Sequence, residues 1–278
     1  MKPRRLRLSL AQVGLLVVIA LILCLVYLPI AYLAVFSFKN NAQIYADFWA
    51  LPDPWIWRNY FDGWGAIQRS MMNSAWLSLA STALTVLTSG LAGYAFARHR
   101  FPGREPLYYS FLGLMMIPAV LTLIPRYLLV KNMGIVDTPW VLILPWAAGD
   151  QAFGILLCRA FFATISEELF EAGRLDGASE LQLFARIAVP LSLPILITLA
   201  IVHAFRSYND YIWPLITINS SDLQVVTVAL TQFNAGYGII NYGPRFAGYL
   251  LAALPLLLMF MLGMRYFIRG LTAGAIKA

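Results

Sequence analysis

The sequence predicts an all-α membrane protein with six transmembrane helices and one polar helix-turn-helix element between two of them. Three observations carry this. Of the 278 residues, 60% are hydrophobic and 12% charged, with a mean hydropathy of +0.72, more apolar surface than an aqueous domain could bury. The apolar residues are gathered into runs close to the roughly 20 needed to cross a hydrocarbon core of about 30 Å. The basic residues favour one set of connecting segments. With the N-terminus inside, Lys2, Arg4, Arg5, Arg7, Arg98, Arg100, Arg104, Arg159, Arg174, Arg186, Arg265, Arg269 and Lys277 share a side, leaving seven of the 20 for the other. Cytoplasmic loops hold the excess of Lys and Arg, so both termini are expected inside. The net charge of +7 is then a matter of topology rather than of nucleic-acid binding.

The first span, 13–36, follows a basic opening. It is too long for a signal peptide and no small-residue cleavage site follows it, so a retained helix is expected. The segment 37–73 is dense in Trp49, Trp55, Trp57 and Trp64 and reads as an interfacial aromatic belt or a helix lying on the membrane. The second span, 74–97, is threaded by Ala80, Ser81, Ala83, Ser89, Gly90, Ala92 and Gly93, which let helix backbones approach closely. A short basic link with the turn signal Pro102-Gly103 makes the third span, 107–130, its antiparallel neighbour. The fourth covers 141–162. The fifth, 191–205, is short and could continue through Tyr211 to Ile218; the sixth covers 247–267. Cys24 and Cys158 fall inside spans, so no disulfide framework is implied. A single transmembrane domain, 1–278, is expected.

Between the fourth and fifth spans lies the polar stretch 164–189. Ser166, or Thr164 with Glu167 three residues on, is placed to cap a first short helix, and Glu167 and Glu168 suit its positive N-terminal end. Gly177 stops it. Ser179 with Gln182 forms a second capping box, and Pro190 ends the second helix. Leu181, Phe184, Ala185 and Ala188 supply an apolar stripe at helical spacing. On pattern alone this is either an amphipathic connector on the bilayer or a docking element.

Glu171, Ala172, Gly177, Ile187 and Pro190 match the spacing E-A-A, three residues, G, nine residues, I-x-L-P. This resembles the EAA motif of permease subunits of binding-protein-dependent ABC importers; Gly173 stands where a second alanine is usual and Val189 where leucine is. Further stretches are similar to the carbohydrate-uptake branch, the shorter maltose-type permeases. These are Asn73-Ser74, the run from Ala92 to Arg104, Met116 to Pro118, Ile124-Pro125, Leu142 to Pro145, Asn209 to Leu215 and Gly270 to Lys277. Arg126 departs from that pattern, an apolar residue being usual after Ile-Pro.

The resemblance implies that the polar stretch is a cytoplasmic coupling element whose elbow, Glu171, Ala172, Gly173, Asp176, Gly177 and Ala178, sits in a groove of an ATPase subunit. It implies that the tail, 268–278, reaches the ATPase through Gly270, Leu271, Thr272, Ala273 and Gly274. The implied partners are a second homologous permease, two ATPase subunits, an extracytoplasmic solute-binding protein and a sugar or polyol substrate, in a prokaryotic inner membrane. No G-x-x-x-x-G-K-[ST] loop occurs, so ATP and Mg are expected on the partner ATPase, with no cofactor or metal on this chain, no catalytic residue and no bound nucleic acid.

Ionisable groups inside spans default to functional hypotheses. Asp150 with Gln151 either lines a wet cleft or makes a structural hydrogen bond between helices. Asn209, Asp210 and Trp213 either line an outer gate for a sugar or cap the helix end before Pro214. His203 reads as a satisfied core histidine rather than a metal ligand. The competing class is a secondary carrier driven by a proton or sodium gradient, which would show inverted repeats and a relay of buried carboxylates; neither is visible here.

Overall fold

The computed structural model describes residues 10–231 and 240–275, without the side chains of 262 and 265–275. Every regular element among the described residues is helical. Three helices are long and apolar enough to cross a membrane: α1 (Leu10–Phe36), α3 (Arg58–Arg98) and the last helix, from Tyr242. Three bent pairs pass the same measure only together. In chain order these are α4 (Arg104–Leu114) with the 3-10 turn Ala119–Thr122 and α5 (Leu123–Asn132), bent by 94°; α6 (Trp140–Gly149) with α7 (Gln151–Phe162), bent by 47°; and 180–191 with α11 (Leu193–Asn209), bent by 79°. The six expected spans fall on these three helices and three pairs.

The differences from expectation lie at breaks. Residues 107–130 do not form one straight helix, because Pro118 lacks the N–H that would continue α4 and forces Ile117 out of helical dihedrals; the chain turns at Met115 to Pro118. The helix of the second span starts at Arg58 rather than at Ser74, since nothing in 58–73 breaks a helix. Asn73, read as its opening, lies inside it and donates to the Asp222 and Gln224 carbonyls. The fifth does not run on: α11 ends at Asn209, and Ile212–Thr217 is a separate short helix, α12.

The chain divides into two compact units, 1–67 with 232–252 and 68–231 with 253–278. In the first, the six-residue helix α2 (Asn41–Ala46) is closed by a capping box of Asn40 and Gln43. Trp55, Trp57 and Tyr60 gather around Phe38 at 5.1, 4.7 and 5.0 Å between ring centroids. Part of the aromatic segment thus packs on Phe38, while Trp49, Trp55, Trp57 and Trp64 remain exposed. Asn59 holds it by donating to the Ser37 and Lys39 carbonyls, both at 2.9 Å.

In the second unit, α3 turns a stripe of hydroxyls inward: Ser74, Ser78, Ser81, Thr85 and Ser89 are all buried. Turning polar groups toward protein rather than lipid gives them partners where no water is present: Ser74, Ser81, Thr85 and Ser89 find them, whereas the Ser78 hydroxyl does not. The small residues act as expected. A Cβ on Gly93 would collide with Cys158, and one on Gly154 with Ser89, so α3 and α7 lie backbone to backbone. Ala83 is the exception and is exposed. Leu77, Val141, Leu142, Trp146 and Trp213 form one apolar cluster, and Tyr94, Cys158, Phe162, Phe170 and Leu183 another.

Candidate functional site

The polar stretch folds as helix, glycine corner, helix. First comes α8 (Glu167–Leu175); α9 (Glu180–Leu183) leads through a π turn at Phe184–Ala188 into α10 (Val189–Leu191). Gly177 adopts φ +79°. Its N–H donates to the Arg174 carbonyl at 3.0 Å and that of Ala178 to the Gly173 carbonyl at 2.9 Å, the paired bonds of a Schellman ending. No atom lies within 4 Å of where a Gly177 Cβ would stand, so the dihedral alone demands glycine. The second cap is present as expected, Ser179 and Gln182 exchanging bonds. The first is not. Ser166 occupies the N-cap without a side-chain bond, and the Thr164 hydroxyl turns back to the Phe161 carbonyl.

The buried stripe is also rotated from expectation. Phe184 and Ala188 are inside, but Leu181 and Ala185 are exposed and Leu183 and Ile187 take their place. Gly173 explains the rotation: a Cβ there would stand 2.5 Å from Leu183 Cδ2 and 3.2 Å from Ile187 Cδ1, so the second helix leans on α8 at its glycine. Glu171, Ala172, Asp176 and Gly177 stay exposed, and Leu175 at 89% is almost wholly so.

What holds the elbow is a clasp that the sequence did not reveal. Arg98, in the last turn of α3, is 6% exposed. It donates to Glu167 at 2.7 Å, to the Phe162 carbonyl at 2.6 Å and to the Ile165 carbonyl, and lies 4.2 Å over the Phe170 ring. Arg174 joins Glu167 to Glu180, both at 3.1 Å, and Glu180 accepts from the buried Tyr94 at 3.2 Å. Both short helices are therefore tied to one end of α3. Arg174 first, and then Arg98, hold the Glu167 carboxyl below its ordinary range, against a smaller opposing effect of burial. A depressed carboxylate pKa gives stability that is present at neutral pH and lost only as pH falls through the lowered value. Elbow stability should be flat across the neutral range and fall only in acid. Arg98→Gln, which orphans the helix-end carbonyls at about 1–3 kcal/mol each, should raise proteolysis at the elbow at every pH, whereas half-exposed Glu167 as Glu167→Gln should raise it little.

The second candidate site is a cavity of about 450 Å³ bordered by α5, α6, α11 and α12. Asp150 occupies the break between α6 and α7. Its two oxygens are taken by His203 Nδ1 and the Arg206 guanidinium, each at 2.7 Å. His203, 1% exposed, meets the Ser81 hydroxyl at 2.9 Å and that of Thr85 at 3.3 Å through Nε2. Nδ1 faces Asp150 and Nε2 faces the two hydroxyls, so both ring nitrogens have partners. Asp210 accepts from the Trp146 indole at 2.7 Å and from the Trp213 backbone N–H at 3.4 Å, and its carbonyl from Thr227 at 2.7 Å. Trp213 is 1% exposed and donates to the Val141 carbonyl at 2.8 Å.

Asp150, Asp210 and Trp213 therefore line one cavity. Gln151 and Asn209 do not: Gln151 bridges Ser89 and Thr88, and Asn209 donates to the Phe205 carbonyl within its own helix. Asp150 lines the cavity, and its partners, His203 and Arg206 on α11, have no local signature in the sequence. Among the described residues no group of three or more His, Cys, Asp or Glu could hold a metal ion. The tail residues Gly270 to Gly274 belong to the last helix (Tyr242–Ala275); their side chains lie outside the described residues.

Comparison with known proteins fits this architecture. The chain is 32% identical over 277 residues, 99% of its length and 92% of the relative's, to a probable ABC transporter permease protein, YurM, of Bacillus subtilis. It is 33% identical over 205 residues, 74% of its length and 72% of the relative's, to the arabinooligosaccharides transport system permease protein AraQ of Halalkalibacterium halodurans. The fold superposes with a TM-score of 0.84, at 19% identity and over 96% of this chain and 99% of the other, on a chain of a bacterial ABC transporter that imports the acidic polysaccharide alginate. Residues 85–273 match the family model described as a binding-protein-dependent transport system inner membrane component, a region that contains the elbow, the clasp and the cavity. The chain is thus a multi-pass inner membrane protein, a transport subunit rather than an enzyme, and belongs to the family of inner membrane components of binding-protein-dependent transport systems.

Proposed function

We propose that this permease pairs with a second, homologous permease, two ATPase subunits and an external solute-binding protein to import a saccharide or related polyol. The observation that carries the coupling is the elbow. Gly173, Gly177 and the clasp at Arg98 hold an exposed corner of Glu171, Ala172, Asp176 and Gly177, with Ala178 half-buried behind it, a rigid projection suited to a partner's groove. Sugar-transport relatives such as the arabinooligosaccharide permease support the substrate class. The excess of basic residues on the elbow's side supports a cytoplasmic position for it and for both termini. Asp150, Asp210 and Trp213 face the passage, while Gly270 to Gly274 reach toward the ATPase pair.

The reading is tested by uptake into proteoliposomes that hold the purified assembly. Import should need ATP inside and loaded binding protein outside, and an imposed proton or sodium gradient should not replace them. Uptake driven by the gradient alone would favour the carrier instead. Removing 268–278 should spare insertion but alter the stimulation of ATP hydrolysis by loaded binding protein; unchanged stimulation would remove the tail from the ATPase.

A further inference from the structure

We propose that Arg126 makes the cavity at Asp150 a recognition site for an oxyanion carried by the transported saccharide, a carboxylate or phosphate ester on a sugar. The inference rests on the importer reading and narrows its substrate class. Arg126 sits in α5 and lines the cavity. Its guanidinium carbon lies 3.8 Å from the Trp213 ring. Among the described residues it makes no ion pair within 4 Å and no hydrogen bond, and its Nε is buried without an acceptor.

The other polar groups of the cavity are committed. Asp150 is taken by His203 and Arg206, and Asp210 by Trp146 and Trp213. Ser207 donates to the His203 carbonyl at 2.9 Å. Asp210 offsets part of the Arg126 charge by its field but offers it no hydrogen bond. Hydroxyls of a neutral sugar find acceptor capacity left on the two carboxylates, but only an anionic group meets the unpaired Arg126 with a charge-assisted bond.

Geometry favours an oxyanion further. The guanidinium carbon lies over the Trp213 ring, and an arginine held on a ring face carries its N–H donors around its edge. That edge matches a carboxylate or phosphate with two parallel bonds. In a membrane interior an arginine without acceptors is costly, so the residue persists where water or an anion completes it. A volume of about 450 Å³ is within the usual size of small-molecule sites.

The complete assembly in nanodiscs should be titrated with trigalacturonate and with neutral galactotriose, following the fluorescence of tryptophan. Trigalacturonate is expected to bind at least about tenfold more tightly, the scale of one charge-assisted pair. Arg126→Leu should erase the difference and Arg126→Lys should keep part of it. Equal binding of the two sugars, or a preference that survives Arg126→Leu, overturns the proposal. Inorganic phosphate that competes as well as the uronate would assign a free-anion site and defeat the saccharide assignment. Loss of the second permease from the Arg126→Leu assembly would place Arg126 at the contact between permeases, which also defeats it. ATP-driven uptake of any sugar by the same particles reconstituted in vesicles reports on the importer reading separately.

Discussion

Gly177→Asp is expected to lower import by about a hundredfold or more while the permease still inserts and pairs. The two effects separate because the cost inside this chain is small. A non-glycine residue at φ +79° pays about 1–2 kcal/mol, and aspartate, which tolerates the left-handed region, pays less. Nothing crowds the site, since no atom lies within 4 Å of a Cβ there. The elbow therefore keeps its shape, and what fails is the seat of an added, charged side chain at the apex of the corner.

Two companions sharpen the result. Gly177→Ala carries more backbone strain than Gly177→Asn but is smaller. If import falls in the order of size, asparagine below alanine, contact with the ATPase is limiting; if it falls in the order of strain, the turn itself is. Asp176→Lys reverses a charge on the exposed corner without touching the Schellman bonds, and should uncouple hydrolysis from import. The measurements are subunit stoichiometry of the purified assembly and import per ATP hydrolysed. Gly177→Asp and Asp176→Lys assemblies that hold the ATPase and import at the original rate would show that the elbow does not dock.

The contrast between what could and could not be read from the sequence has a physical basis. The corner was legible because turn chemistry is local: Gly177, Ser179 and Gln182 specify their geometry within a few residues. The breaks at Pro118 and between Gly149 and Gln151 were harder. A hydropathy window registers apolar length and not direction, so a pair of half-helices bent by 94° scores like one span. Helix α3 begins well before the span read at 74–97, because the polar residues of its first turns add length without hydropathy. The clasp and the cavity were illegible as constellations. Arg98 and Glu167 are 69 residues apart, and Asp150 and His203 are 53 apart; only the crossings of α3, α7 and α11 bring them together. One signal was available. Arg98, His203 and Arg206 are charged or titratable groups within or at the ends of apolar runs, and such groups call for partners.

Asp150→Leu is expected to lower assembly and import together, whereas Asp150→Asn should assemble and retain import within about tenfold. The carboxylate, 15% exposed, is the acceptor for two donors of opposite freedom. His203 is 1% exposed and pinned from its far side by Ser81 and Thr85, so it cannot turn to another acceptor. Arg206 is 58% exposed and can swing into the cavity. Leucine leaves the buried His203 Nδ1 without a partner, a loss of about 1–3 kcal/mol for an unsatisfied buried group, roughly one to two orders of magnitude in the folded population, while the exposed guanidinium loses an ion pair worth little. Asparagine keeps one carbonyl oxygen, which suffices for His203, and forfeits only the ion pair to the residue that can find water. Assembly by size-exclusion chromatography and import by proteoliposome uptake should be measured on the same preparations. If both variants lose import equally with assembly intact, the carboxylate acts through its charge or proton rather than as an acceptor. If Asp150→Leu assembles and imports normally, the bond to His203 organises neither the helix break nor the passage.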